Sequence, residues 1–302
     1  MKIIEIDLNY KATEESIIAL GNFDGVHQGH LELINTAVKT ASRLNVKSSV
    51  LIFKEHTDNL ISIKKKKILT NNKTKFEILE KQGIDIIYLI EFTKEFMAYG
   101  PYKFLNDFLV QNLKTIGVVV GYDYTYGYKK AGDVSFLQQN KNLFKVIEII
   151  DKIKDSNEKI SSSLIRNLIE KGNIKRANFL LTRPYKLIGT IIHAKGLGKK
   201  MGYPTANLSL IDNYVLPKFG VYDTNIIIDG KKYKASTSIG TNPTVENDGV
   251  KVEAHILNFN KDIYGKTVEL EILDFIRPEL KFKNIDELFK QIAKDVKITE
   301  AR

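Results

Sequence analysis

Over roughly the first 180 positions, short apolar runs alternate with segments of helical period. The apolar run 17–20 is followed by Leu31, Ile34, Val38 and Ala41, spaced to share one helix face. Residues 50–53 read as the next strand, and 74–82 as a helix closed by Gly83, a natural left-handed cap. Further short strands are expected at 86–90, 118–120 and 146–150. Between them Phe104, Leu105, Phe108 and Leu109 repeat at helical spacing, and 134–139 fits a short helix. Strands and helices in alternation, with few hairpin signals, predict a parallel sheet covered on both faces. The expected fold here is Rossmann-like α/β.

After Arg183-Pro184 the rhythm changes. Segments 187–193, 221–228, 232–239, 251–257 and 267–273 read as strands. Asp229-Gly230 has the composition of a tight hairpin turn, and Asp248-Gly249 that of a second. Only Ile285, Leu288, Phe289, Ile292 and Val296 return to helical spacing. This pattern predicts a mostly-β small barrel with a C-terminal helix, about 120 residues long. A boundary near residue 183 gives domains of 1–183 and 184–302.

Composition narrows the chemistry. The chain has 302 residues, 46 basic and 36 acidic, with a formal net charge of +10 and no cysteine. Disulfides, thiolate catalysis, thiolate zinc and iron–sulfur clusters are excluded. No apolar run reaches the roughly 18 residues of a membrane helix, and Met1–Asp7 lacks a signal-peptide core. A cytoplasmic protein without membrane contact is expected. The basic balance attracts polyanions in general, and the run Lys64-Lys65-Lys66-Lys67 has no interleaved aromatic to serve as a stacking platform. No nucleic-acid partner is expected, although an RNA-binding protein on a retired enzyme scaffold would share the charge.

The most informative segment is Gly21-Asn22-Phe23-Asp24-Gly25-Val26-His27-Gln28-Gly29-His30, between an expected strand and an expected helix. Its glycines permit a sharp turn and close backbone approach to a ligand. A helix N-terminus there offers amides and partial positive charge to phosphate. His27 and His30, three apart, can donate to oxygens that gain charge as a phosphoanhydride breaks. Otherwise the segment is a glycine-rich turn with two incidental histidines. In the second half Gly189–Asn207 is rich in glycine and lysine but matches neither the dinucleotide fingerprint nor the Walker loop. It reads equally as a phosphate-wrapping loop, around Gly196, Gly198 and Gly202, or as a long barrel loop.

The first string resembles the bacterial bifunctional riboflavin kinase/FAD synthetase family, and the resemblance continues down the chain over roughly residues 16–296. Ile160-Ser161-Ser162-Ser163-Leu164-Ile165-Arg166 resembles the family's Ile-Ser-Ser-Thr-x-Ile-Arg, with Ser163 for threonine. Gly121-Tyr122-Asp123-Tyr124-Thr125-Tyr126-Gly127 resembles its Gly-x-Asp/Asn-Phe-x-Phe-Gly, with tyrosine for both phenylalanines. His56 stands where the family has Phe-x-Pro-His-Pro, but both prolines are absent. Pro204-Thr205-Ala206-Asn207 resembles the riboflavin kinase motif. It is followed in order by Gly220-Val221-Tyr222, Ser238–Thr244 with Asn242, Val252–Leu257 with Glu253, and Phe275–Glu279 with Arg277.

The resemblance implies two ATP-dependent steps, riboflavin to FMN and FMN to FAD with release of pyrophosphate. His27, His30 and Arg166 would be catalytic in adenylyl transfer, with Gly21, Asn22, Phe23, Asp24, Gly25, His56, Asp123, Tyr126, Ser162 and Ser163 binding substrate. Glu253 would be the general base of the kinase, and Thr205 and Asn207 would bind magnesium and phosphate. Gly196, Gly198, Gly202, Tyr222, Asn242 and Arg277 would complete that site. By pattern alone Ser162 is a helix N-cap, the tyrosine segment a buried aromatic loop, and Glu253 an outward strand residue. The changed His56 segment leaves a second expectation, a kinase with a weak or inactive adenylyltransferase half.

Overall fold

The computed structural model describes residues 1–55, 65–193, 203–241 and 250–302. The chain divides into two compact units, Met1–Ser162 and Ser163–Arg302.

The first unit is an α/β sheet. Its strands are β1 (Lys2–Ile6), β2 (Ser16–Ala19), β3 (Lys47–Phe53), β4 (Ile86–Ile90), β5 (Thr115–Gly121) and β6 (Val146–Ile150), in the spatial order β1-β4-β3-β2-β5-β6. Every pairing is parallel. Side chains alternate between two buried faces, which is why the strands read as unbroken apolar runs. Ile18, Leu20, Tyr88, Val118 and Val120 join the aromatic cluster of Phe96, Phe104 and Phe108 on one side. Ile17, Ala19, Ile87 and Val119 meet Leu33, Ile34, Ala37 and Ala41 of α1 (Gln28–Leu44) on the other. The expected face Leu31-Ile34-Val38-Ala41 is therefore the packed one, and Asn45 closes the helix in the left-handed conformation.

Helix α2 (Asn72–Lys81) is capped by the Asn71 side chain and ends before Gly83 at φ +84. Two single-turn helices follow, α3 (Lys94–Met97) and α4 (Pro101–Lys103). The apolar repeat at 104–109 then forms a wide π-type helix, Phe104–Asn112, closed by a five-residue-back bond from Leu113 N to Phe108 O. After α5 (Val134–Gln139) and β6 comes the small hairpin β7 (Lys154–Asp155) and β8 (Glu158–Lys159). Its turn residues Ser156 and Asn157 are both left-handed, with no glycine to announce them.

The second unit begins with α6 (Ser162–Glu170), whose first residue closes the first unit, and α7 (Ile174–Leu181). Sequence spacing expects the division near residue 183, whereas the compact units divide after Ser162, and α7 bonds to the strands that follow it. Asn178 Nδ2 donates to Ile272 O at 2.8 Å and its Oδ1 accepts from Tyr185 N at 2.7 Å. Helical periodicity states that a face is apolar but not which sheet it covers.

The barrel comprises β9 (Tyr185–Ile192), β10 (Ala206–Leu210), β11 (Gly220–Ile228), β12 (Lys231–Gly240), β13 (Lys251–Ile256) and β14 (Thr267–Pro278). It closes in the order β10-β13-β12-β11-β14-β9, with β9 returning to β10. Asp229-Gly230 makes the β11–β12 hairpin, both residues left-handed. The second expected turn, Asp248-Gly249, lies outside the described residues. Helix α8 (Ile285–Ala301) ends the chain, with Asn284 Oδ1 capping Glu287 N at 2.9 Å.

Candidate active site

In the first unit, chain connections reverse direction between β2 and β5: β3 lies on one side of β2, and β5 with β6 on the other. Open α/β sheets bind ligands at the carboxyl ends of strands at such a switch point. The segment 21–27 follows β2 and the segment 122–127 follows β5, so both sequence motifs border this crevice.

His27 is the N-cap of α1, in extended conformation, with no side-chain hydrogen bond to the first turn and no acid within it. His27 is buried, and its ring stacks on His30 at 3.9 Å and 16°. Phe23 lies beneath, 5.3 Å from the His30 ring. The helix dipole and two stacked imidazoles thus occupy one helix end, an arrangement suited to phosphate oxygens. Phe23 (φ 48) and Val26 (φ 39) are left-handed although neither is glycine, costing on the order of 1–3 kcal/mol each. Both side chains are fully buried, so packing holds the loop in this shape. Asp24, also buried, fixes it from two sides. Its Oδ1 accepts from Leu69 N (2.9 Å) and Thr70 N (3.1 Å), and its carbonyl accepts from Ser162 Oγ (2.8 Å). Gly21 and Asn22 lead into this loop and Gly25 is left-handed at φ 83.

Asp123 is exposed and ion-paired with Lys159, whose Nζ lies 4.9 Å from the Tyr122 ring centre. Tyr126 is buried in the aromatic cluster, stacked with Tyr124 at 5.6 Å and 5.4 Å from Phe104. Burial pushes both hydroxyls above the ordinary tyrosine range. Ser163 and Arg166 fall past the unit boundary on α6, Arg166 one turn beyond Ser162. His56 lies outside the described residues.

In the barrel, Val252, Ala254 and Ile256 of β13 point inward, leaving Glu253 and His255 on the outer face. Asn207 of β10 stands directly opposite Glu253 on one side, and Ser238 of β12 on the other. Directly opposed residues share a face, so the carboxylate, amide and hydroxyl line up across three strands. Thr205 is exposed just before β10. The turn carrying it is pinned by a hydrogen bond of 2.9 Å between His255 Nδ1 and Pro204 O, and by Tyr203, which meets His255 edge-on and stacks toward Phe289 of α8.

Tyr222 is fully buried, and its hydroxyl donates to Lys218 O. Arg277 is engaged with the buried Asp295 of α8, Nη2–Oδ2 at 2.7 Å and Nε to both oxygens at 3.0 Å, while Gln291 also bonds Asp295. Arg277 therefore ties β14 to α8, and Tyr222 ties β11 to the segment before it. Gly196, Gly198, Gly202 and Asn242 lie outside the described residues. Sequence reasoning missed Asp295 and Lys75. The signal for Lys75 was its phase: it falls with Thr74 and Leu79 on the buried face of α2.

The FAD synthetase family model matches residues 9–164, and the riboflavin kinase model matches 181–302. A bifunctional riboflavin kinase/FMN adenylyltransferase of Listeria monocytogenes is 37% identical over 94% of this chain and 91% of its own. The chain belongs to this bifunctional family. The Bacillus subtilis protein of the same name is 32% identical over 98% of this chain and 96% of its own. A crystal structure from Streptococcus pneumoniae, described as a macrolide-efflux protein, has a TM-score of 0.88 at 33% identity, covering 99% and 98% of the two chains. Among the described residues here, no helix is long and apolar enough to cross a membrane. The family membership accounts for a parallel-sheet unit followed by a closed barrel, in the order of the two models.

Proposed function

We infer that this chain uses ATP twice, phosphorylating riboflavin to FMN on the barrel and adenylylating FMN to FAD on the sheet unit. The observation carrying this reading is the succession of the two family models along one chain, each coinciding with a site of suitable chemistry. We assign the functional halves to 1–183 and 184–302, and the location to the cytoplasm.

On the barrel, Glu253 takes the proton from the ribityl hydroxyl as that oxygen attacks the γ-phosphate, releasing ADP. Asn207, held opposite Glu253, and Thr205 offer neutral, hard oxygen donors, and these fit magnesium. Among the described residues no cluster of three acidic or histidine side chains forms a protein cage, which suits an ion that keeps waters and shares phosphate oxygens. Bound there, magnesium would neutralise charge on the transferring phosphoryl group. Arg277 and Tyr222 act by holding α8 and the start of β11 around the flavin.

On the sheet unit, an FMN phosphate oxygen attacks the α-phosphate of ATP and pyrophosphate leaves. The nucleophile is already anionic, so orientation and charge stabilisation carry the step. His27 and His30 donate to the phosphate oxygens at the N-terminus of α1, assisted by Arg166. Asp123 and the Ser162–Ser163 hydroxyls orient the substrates.

The test is a time course with riboflavin, ATP and magnesium, the flavins separated by chromatography and read by fluorescence. FMN should appear first and FAD follow. No product from riboflavin, together with unchanged FMN when FMN is supplied, overturns the reading.

A further inference from the structure

We propose that His255 is a positioning residue for the kinase reaction, its Nδ1–H gripping the Pro204 carbonyl so that Thr205 is held in place to bind magnesium and phosphate. The inference rests on, and deepens, the assignment of riboflavin phosphorylation to the barrel. None of the steps assigned above uses His255.

Strand register explains why Thr205 needs an outside support. Strand β10 pairs with β13 through Ala206, opposite Ala254, and Asn207, opposite Glu253. One step further back, Thr205 comes level with His255, on the face that carries Asn207 and Glu253. Asn207 is paired on both sides, with Glu253 of β13 and Ile192 of β9. Thr205 is exposed and lies outside both described ladders. Pro204 before it has no N–H with which to extend the strand.

His255 supplies that support. Its Nδ1 lies 2.9 Å from Pro204 O. A carbonyl only accepts, so Nδ1 carries the proton. The Pro204 carbonyl and the Thr205 amide belong to one planar peptide unit. Fixing the oxygen therefore fixes the plane from which the Thr205 side chain departs. Tyr203 holds the imidazole in turn, meeting it edge-on at 5.4 Å and 66°. Tyr203 is itself stacked with Phe289 of α8 at 6.3 Å and 17°, within the range of favourable ring pairs. Glu253 and His255 share the outer face of β13, so one strand carries both the base and the prop of the turn.

The first test is on the wild-type chain. Imidazole nitrogen–proton correlation spectra recorded above neutral pH should show His255 as the Nδ1–H tautomer, and the Nε2–H tautomer overturns the proposal. The chain has five histidines, and the His255 signal is assigned by its absence from a His255 variant.

Two variants then separate positioning from simple packing. His255→Phe keeps a ring beside Tyr203 and removes the donor. It should raise KM for magnesium·ATP in FMN formation about tenfold, the worth of one hydrogen bond, with kcat within about threefold. FAD formation from supplied FMN should stay within about twofold. His255→Asn places an amide donor near the Nδ1 position and should keep KM within about threefold of wild type. Hydrogen exchange over 203–207 in the ligand-free protein should quicken about tenfold in H255F and stay near wild type in H255N. An unchanged KM in H255F, with or without a fall in kcat, overturns the proposal. So do equal effects of the two variants, or unchanged exchange in H255F. Should H255F unfold the second unit, H255N and the tautomer decide: wild-type KM and exchange in H255N support the proposal, and a KM raised about tenfold overturns it. Wild-type protein that makes no FMN from riboflavin would overturn the kinase assignment instead, with the tautomer and the exchange still judging whether His255 holds the turn.

Discussion

At the scale of single residues, the two proposed sites draw on different side chains, so substitution should separate the two reactions. His27 stacks on His30 at the N-terminus of α1, and Glu253 faces Asn207 across two barrel strands. Removing one preorganised donor of this kind typically costs about 10²–10³ in rate. His27→Ala should therefore depress FAD formation from supplied FMN by that factor, while FMN formation continues near the wild-type rate. Removing a general base costs about 10²–10⁴. Glu253→Gln should suppress FMN formation to that degree and spare FAD formation when FMN is supplied. Initial rates of both reactions on each variant check the pair, and equal loss of both activities in either folded variant would contradict two independent sites.

At the scale of elements, α8 is attached to the barrel by a pair that burial makes sensitive. Asp295 is 3% exposed and receives Arg277 through three hydrogen bonds of 2.7–3.0 Å, plus one from Gln291. Breaking a buried pair strands the remaining charge and costs roughly 3–5 kcal/mol. Asp295→Ala should destabilise the second unit by about that amount, measured by chemical denaturation followed by circular dichroism. It should also raise KM for riboflavin if α8 walls the flavin. The combined replacement of Arg277 and Asp295 by apolar residues should cost less than Asp295→Ala alone, because no charge is then left unpaired.

At the scale of the molecule, stability also depends on groups given no role in either reaction. Asp223 is buried on β11 and stands opposite Asp274 of β14, which is paired with Lys175 and with Arg302. Burial raises the Asp223 pKa, only partly offset by Arg302 and Lys234, and Asp274 raises it further. A carboxylate whose folded pKa exceeds its unfolded value contributes stability that is fully present below the unfolded pKa, about 4, and lost as pH rises through the folded one. Asp223→Asn should therefore raise the thermal midpoint of the second unit at neutral pH. The advantage should shrink as pH falls toward 4, and a gain that grows on acidification would contradict the assignment.

Much of this architecture was legible in the linear chain. The apolar runs at 17–20, 50–53, 86–90 and 118–120 are unbroken because both faces of each strand are buried, and run length is a local property. The string at 21–30 was legible from residue type and spacing, whereas 204–207 was legible only through its resemblance to the riboflavin kinase motif. Strands β1 and β10 escaped notice because each is short and largely uncovered, so neither shows a clean alternation. What the sequence by itself determined was therefore the class of each half and the motif strings to which its chemistry is assigned. Only the tertiary structure decided that Asn207 stands opposite Glu253, that α7 bonds to β14 and β9, and that Asp295 receives Arg277. Those facts depend on register, barrel closure and burial between segments far apart in sequence, and no local pattern of residues encodes them.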